Sequence, residues 1–150
     1  MTILASTSVC VAPREALDDV ISLLGVEEGC GADFRRLLPP PPDLVASLEQ
    51  ATTGAERAMA AAALGRWKLL CWGTASDPLR CTVEDARVRF ETASLPPRAY
   101  LEALSRALPS ARLDVEIRSS GSPGDVDRYT LRGGMRAGRS ARWGGGRAAA

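Results

Sequence analysis

Residues 66–109 read RWKLLCWGTASDPLRCTVEDARVRFETASLPPRAYLEALSRALP, and their pattern decides the fold. Leu79, Cys81 and Val83 alternate with Arg80, Thr82 and Glu84; after a turn at residues 84–86, Val88, Phe90 and Thr92 alternate with Arg87, Arg89 and Glu91. Alternation of period two on both sides of a short turn predicts an antiparallel hairpin. Pro96 and Pro97 then open a helix, in which Leu101, Leu104 and Leu108 recur at helical spacing until Pro109 ends it. Upstream, Trp67 and Cys71 share a helix face, and Trp72, Gly73 and Thr74 have to end that helix. Gly73 supplies the positive φ of the turn, and Thr74 with Asp77 satisfies loose backbone amides.

Toward the N-terminus, residues 3–11 alternate, with Ile3, Ala5, Val9 and Val11 on one side and Ser6, Ser8 and Cys10 on the other, the period of a half-buried strand. Pro13 and Glu15 suit a first helical turn, Leu17, Val20, Ile21 and Leu24 form an apolar stripe, and Gly25 closes the helix. A glycine-rich loop and Phe34 to Leu38 lead into four prolines, Pro39 to Pro42. These lack amide donors and form a rigid connector into a helix holding Leu44 and Leu48; an SH3-type ligand is the other reading of such a run. Ala55 to Leu64 is helical by alanine propensity more than by any stripe, and it extends toward Cys71.

Beyond Pro109, Leu113, Val115 and Ile117 alternate with Arg112, Asp114, Glu116 and Arg118, residues 119–124 form a loop, and a last strand covers residues 126–132. The expected order is strand, helix, helical insertion, strand, strand, helix, strand, strand. That is an α+β ferredoxin-like plan, an antiparallel sheet with helices on one face. Its open face takes Arg87, Arg89, Glu91, Arg112, Asp114, Glu116 and Arg118, expected as ion pairs on a solvated surface. One domain spans residues 1–134, and residues 135–150 are expected to be a flexible tail rich in arginine and glycine.

The formal net charge is +1, but the twenty residues from Leu131 onward carry +5 and the rest −4. Arg132, Arg136, Arg139, Arg142 and Arg147, with six glycines and Trp143 able to stack on a base, make the segment LRGGMRAGRSARWGGGR the candidate for nucleic-acid binding. Four separated cysteines with no CxxC pair, and no histidine, argue against zinc and for reduced thiols. Nothing at the N-terminus resembles a signal peptide and no stretch approaches a membrane span, so a cytoplasmic location is expected, without membrane contact. Eighteen arginines against the single Lys68 fit a GC-rich genome.

The motif residues carry a resemblance. A tryptophan five residues before Trp-Gly-Thr (Trp67, then Trp72, Gly73 and Thr74), an alternating strand pair ending in Phe90, Thr92 and Ala93, and the pair Pro96 and Pro97 before Leu101 and Leu104 resemble the YubB-like ferredoxin-like domain family of plasmid, phage and prophage proteins. Phe34 to Leu44, Val9 to Pro13, and Tyr129 with Gly133 extend the likeness over about residues 3–134. Members carry a second tryptophan, an asparagine and an Asn-Trp-Cys start where this chain has Ser76, Cys71 and Ile3 to Ala5. The resemblance implies the fold and a mobile-element origin; the family is largely uncharacterised.

Catalysis without histidine would need carboxylate pairs such as Asp18/Asp19, Glu27/Glu28, Glu84/Asp85 or Asp125/Asp127, and adjacent acids are usually a solvated face. No cysteine has a histidine to activate it. RGGMRAGR lacks the spacing of a nucleotide-binding loop. The expectation is a non-enzymatic accessory protein of mobile-element origin, without metal, cofactor or small-molecule substrate. It would bind an unidentified protein partner, such as a host or defence protein, and the alternative is a weak, tail-borne nucleic-acid binder. Trp67, Trp72, Gly73, Thr74, Phe90, Thr92, Pro96 and Pro97 are expected to pack the joint between helix end and sheet rather than form a ligand-stacking notch.

Overall fold

In a computed structural model that describes residues 4–26 and 31–137, the chain folds as α+β with a six-stranded antiparallel sheet and four α-helices. The elements are β1 (Ala5–Val11), α1 (Arg14–Leu24), α2 (Pro42–Glu49), α3 (Gly54–Cys71), β2 (Arg80–Glu84), β3 (Arg87–Ala93), α4 (Arg98–Ala107), β4 (Leu113–Ser119), β5 (Ser122–Arg132) and β6 (Met135–Ala137). A 3₁₀ turn at Phe34–Arg36 precedes the prolines. The strands run in the order β2-β3-β1-β4-β5-β6.

Local chemistry sets most boundaries where the sequence puts them. Gly25, in the left-handed region at φ 69°, closes α1, and Pro42 occupies the first turn of α2. Thr53 caps α3, its hydroxyl accepting from the Glu56 amide, while Glu56 accepts from the Thr52 amide and hydroxyl. That carboxylate-assisted cap holds an 18-residue helix that reaches Cys71 with only Ala60 buried.

One face of the sheet carries the core. Val88, Phe90, Leu113, Val115, Ile117, Tyr129 and Leu131 pack with Val20 and Leu24 of α1 and with Leu101 and Leu104 of α4. The face of β1 is the reverse of the expected one. Cys10 pairs with Val88 and Val115, and Ser8 with Phe90 and Ile117, so Ser6, Ser8 and Cys10 face the helices while Val9 and Val11 face outward. The small side chains of this central strand leave room for Phe34, which stacks on Tyr100 at 4.1 Å and meets Phe90 edge-on at 5.7 Å.

Two further boundaries move. β5 begins at Ser122, so the loop expected at residues 119–124 shrinks to a tight turn at Ser120 and Gly121. Met135–Ala137, expected to begin the tail, pair with Thr130 to Arg132 as β6. Gly133 and Gly134, at φ 58° and 80°, make the two-residue turn between them, the conformation such a hairpin demands of both central residues. These glycines are a fixed turn rather than a mobile spacer.

The open face is also less solvated than expected. Asp114 and Glu116 are buried: Asp114 accepts from Arg112 Nε at 3.2 Å and from the Thr130 hydroxyl at 3.1 Å, and Glu116 from Arg118 Nε at 2.8 Å and Arg128 Nε at 3.0 Å. The Glu116–Arg128 ion pair runs directly across strands, whereas Arg112–Asp114 and Arg118–Glu116 link residues two apart on one chain segment. Arginine stems lying along the sheet exclude water from the shorter acids between them.

Candidate interaction surfaces

The motif residues converge on one joint. Trp72, wholly buried at the end of α3, donates from its indole nitrogen to the Leu38 carbonyl at 3.0 Å and meets Phe34 and Trp67 edge-on. Its own carbonyl accepts from the Tyr100 amide, which ties the end of α3 to the first turn of α4. Gly73, at φ 86°, passes so close to α4 that a Cβ there would stand 2.9 Å from the Arg98 nitrogen. The Thr74 hydroxyl accepts from the Ser76 amide, and the Ser76 hydroxyl accepts from the Ala93 amide; Asp77, expected to share this work, pairs instead with Lys68 at 3.6 Å. The Thr92 hydroxyl donates to the Leu95 carbonyl, holding the Pro96–Pro97 bend. Phe90 lies under the same cluster. Phe34, Phe90, Trp72 and Tyr100 are buried in this joint, and Trp67 is half-buried at its border.

A cleft runs across the segment after β3. Its larger chamber, about 630 Å³, lies between Ser94, Pro96 and Arg98 on one side and Ser122, Gly124, Asp125 and Asp127 on the other; a smaller one of about 330 Å³ is lined by Leu69, Ala75 and Leu95. Ser94 separates them in the left-handed region at φ 64°, held there by its amide on the Leu4 carbonyl and by the Ser6 hydroxyl on its own carbonyl. At the rim, Asp127 is clamped by Arg98 at 2.6 Å and Arg136 at 3.1 Å, and both guanidiniums lie over the Tyr129 ring. Burial pushes the Tyr129 hydroxyl up to about 12, against the pull of these two cations. Beside the cleft stands the Tyr129 phenol, neutral at pH 7; Asp127 of its lining is paired with two arginines, and Asp125 lines it too.

The helix α3 presents a different surface. Met59 and Leu70 are 75% and 80% exposed, Leu69 is exposed beside them, and Ala55, Ala58 and Ala62 continue the same outward side. Glu56 and Arg57 stand at one end of this strip and Arg66 within it. Against α2 the helix leaves a groove of about 430 Å³ lined by Leu44, Ala51, Met59 and Ala63. Three large apolar side chains thus stand exposed on a helix that buries only Ala60.

The remaining candidates scatter. Arg132 is exposed at the end of β5, while Arg136 is taken up by Asp127 and Tyr129; Arg139, Arg142, Trp143 and Arg147 lie outside the described residues. Asp18 and Asp19 are exposed on α1, Glu84 and Asp85 on the β2–β3 turn, and Glu27 and Glu28 lie outside the described residues. The Cys10 thiol is raised to about 12 by burial and by the neighbouring Asp114 charge, and burial also raises Cys81. Among the described residues no cluster of ligating side chains could hold a metal ion, and no helix is long and apolar enough to cross a membrane. Comparison with family models, with curated proteins and with solved structures returns no match to this chain.

Proposed function

We propose that this chain is a non-enzymatic accessory protein of mobile-element descent that binds a protein partner through the outward side of α3. The observation that carries this reading is the exposure of Met59, Leu69 and Leu70 on one helix, with Ala62 and Arg66 exposed between them. A surface of large apolar side chains around small ones admits close approach of a second helix, and water leaves it at a gain of about 25 cal/mol per Å². The partner is a protein offering an apolar helical ridge, a host or defence protein in the mobile-element setting, met in the cytoplasm.

The architecture is read as ferredoxin-like. Starting from β4, the first four strands stand in the order β4-β1-β3-β2, the arrangement a βαββαβ plan generates, with β5 and β6 added beyond β4 and α2–α3 inserted before β2. The resemblance at Trp67, Trp72 to Thr74 and Phe90 to Pro97 supports the same plan, since those residues build the joint between its halves.

The test is affinity purification of the full chain and of a Met59→Glu/Leu70→Glu variant from nuclease-treated lysate, followed by titration of the captured protein after separate expression. Binding by the wild-type chain, reduced at least tenfold by the variant with an unchanged circular dichroism spectrum, supports the reading. A captured protein that binds both chains equally, or binding that vanishes with nuclease, contradicts it.

A further inference from the structure

We infer that the open face of the sheet is a docking surface for the phosphate backbone of duplex nucleic acid. The strand register brings its charges together. From the edge inward, the face carries Arg80 on β2, Arg87 and Arg89 on β3, Arg112 and Arg118 at the two ends of β4, and Arg128 and Arg132 on β5. Against these seven arginines stand four acids, Glu84, Glu91, Asp114 and Glu116, so the face carries +3. The rest of the described residues hold nine basic and twelve acidic side chains, an excess of the opposite sign. A chain near neutral overall is thus polarised across its two layers, and a polyanion approaches it sheet first.

The two acids at the centre of this face do not repel an incoming anion as free carboxylates would. Both oxygens of Glu116 accept from arginine, one from Arg118 and one from Arg128, and Asp114 lies buried beside Arg112. They act as positioning residues, holding three guanidiniums against the sheet with less side-chain entropy left to lose on binding. Arg80, Arg89 and Arg132 make no ion pair with any described residue. The guanidinium fork suits phosphate oxygens.

Dimensions and composition favour a duplex over a single strand. From β2 to β5 the face spans four strand spacings, about 19 Å. A duplex of that length carries about 11 phosphates. Single strands are held by bases stacked on aromatic rings, and the six described aromatic residues all belong to the core side of the sheet or to the joint, none to this face. Contact with phosphates alone positions without reading bases, so the binding is independent of sequence. The inference uses no residue of α3 and stands or falls apart from the protein-binding reading.

The test is fluorescence anisotropy of a labelled 20-base-pair DNA duplex with the full chain between 50 and 200 mM salt. Engagement of three to seven arginines gives a slope of log K against log salt of about −2.7 to −6.3. Arg80→Ala/Arg89→Ala reduces the slope by about 2 and, at 0.1 M salt, the affinity by about 60-fold. Thr7→Lys, placed on this face between Glu91 and Arg118, raises the slope by about 1 and supplies a gain that misfolding cannot imitate. Replacing Arg139, Arg142 and Arg147 together by alanine leaves binding within about threefold. Absence of binding at 50 mM salt overturns the inference, as does loss in the tail variant with none in the sheet variant. Polyglutamate competing as well as unlabelled duplex of equal charge transfers the face to an acidic protein and equally overturns it.

Discussion

Replacement of Trp72 separates a packing joint from a ligand notch most directly. The side chain is wholly buried, and a tryptophan of about 200 Å² taken out of water at about 25 cal/mol per Å² represents about 5 kcal/mol of transfer free energy. Alanine retains a methyl and leaves a cavity beside Phe34 and Trp67, so Trp72→Ala costs about 3–5 kcal/mol, and the Leu38 carbonyl losing its indole donor adds about 1. Trp72→Phe keeps an aromatic ring against Phe34 and loses chiefly the hydrogen bond, about 1–2 kcal/mol. For a domain of this size each kcal/mol lowers the melting temperature by about 3–4 °C, giving a fall of about 10–20 °C for alanine and about 3–8 °C for phenylalanine. Calorimetry on both variants checks the numbers. An alanine variant melting within about 2 °C of the wild type refutes the joint, and a phenylalanine variant as damaged as the alanine one refutes the role given to shape.

Four more outcomes follow from the same structure. Gly73→Ala puts a Cβ at φ 86° and 2.9 Å from the Arg98 nitrogen, costing more than about 2 kcal/mol in a urea titration; a variant as stable as the wild type excludes the close approach of α3 to α4. Burial raises the Glu116 carboxyl, but the bonds from Arg118 and Arg128 outweigh it and hold the folded value below the ordinary 4.5. Its contribution is therefore full above pH 4.5 and is lost as pH falls through the folded value, so Glu116→Gln costs about 1–3 kcal/mol at pH 7 and the gap is smaller at pH 3 than at pH 7. Urea titrations at the two pH values that show the same gap contradict the assignment. A pulse of iodoacetamide at pH 8, read by mass spectrometry, labels half-buried Cys71 before buried Cys10, and a native Cys10 adduct at equal rate is the contrary result. Ser8→Ala removes a buried hydroxyl without a partner opposite Phe90 and stabilises by about 0.5–1 kcal/mol, seen as a raised urea midpoint; a destabilised variant shows the hydroxyl to be bonded.

The hairpin at residues 79–93 and the helix after Pro97 are legible in the sequence because large apolar side chains mark one face and arginine or glutamate the other. β1 is misleading for the opposite reason. Its core side holds serine and cysteine, chosen for volume beside Phe34, Phe90 and Tyr100, and its outer side holds valine. β6 escapes because Gly133–Gly134 sits in an arginine-rich segment whose composition speaks for a tail, although a glycine pair between two short strands is a hairpin signal. The α3 surface is legible as an absence, an alanine helix without a stripe, but which side stays bare depends on where α2 lies. The cap at Thr53 and Glu56 had a sequence signature, Thr-x-x-Glu, that marks the helix start one residue before Ala55.

The reversal of β1 has consequences on both sides of the sheet. Moving the strand by one residue would exchange its faces, setting Val9 and Val11 against an aromatic cluster already filled and Ser8 and Cys10 beneath the arginines. In the observed register Val9 floors a shallow depression of about 170 Å³ lined by Arg87, Arg89, Thr82 and Glu84. Its neighbours across the ladder are Arg89 on one side and Glu116 on the other. An apolar floor gives the arginine stems a surface to lie on, and the stems in turn bury the acids that hold their neighbours' guanidiniums. The small side chains that admit the aromatic joint and the valines that carry the basic face are thus one choice of register, made by a strand whose hydrophobic pattern points the other way.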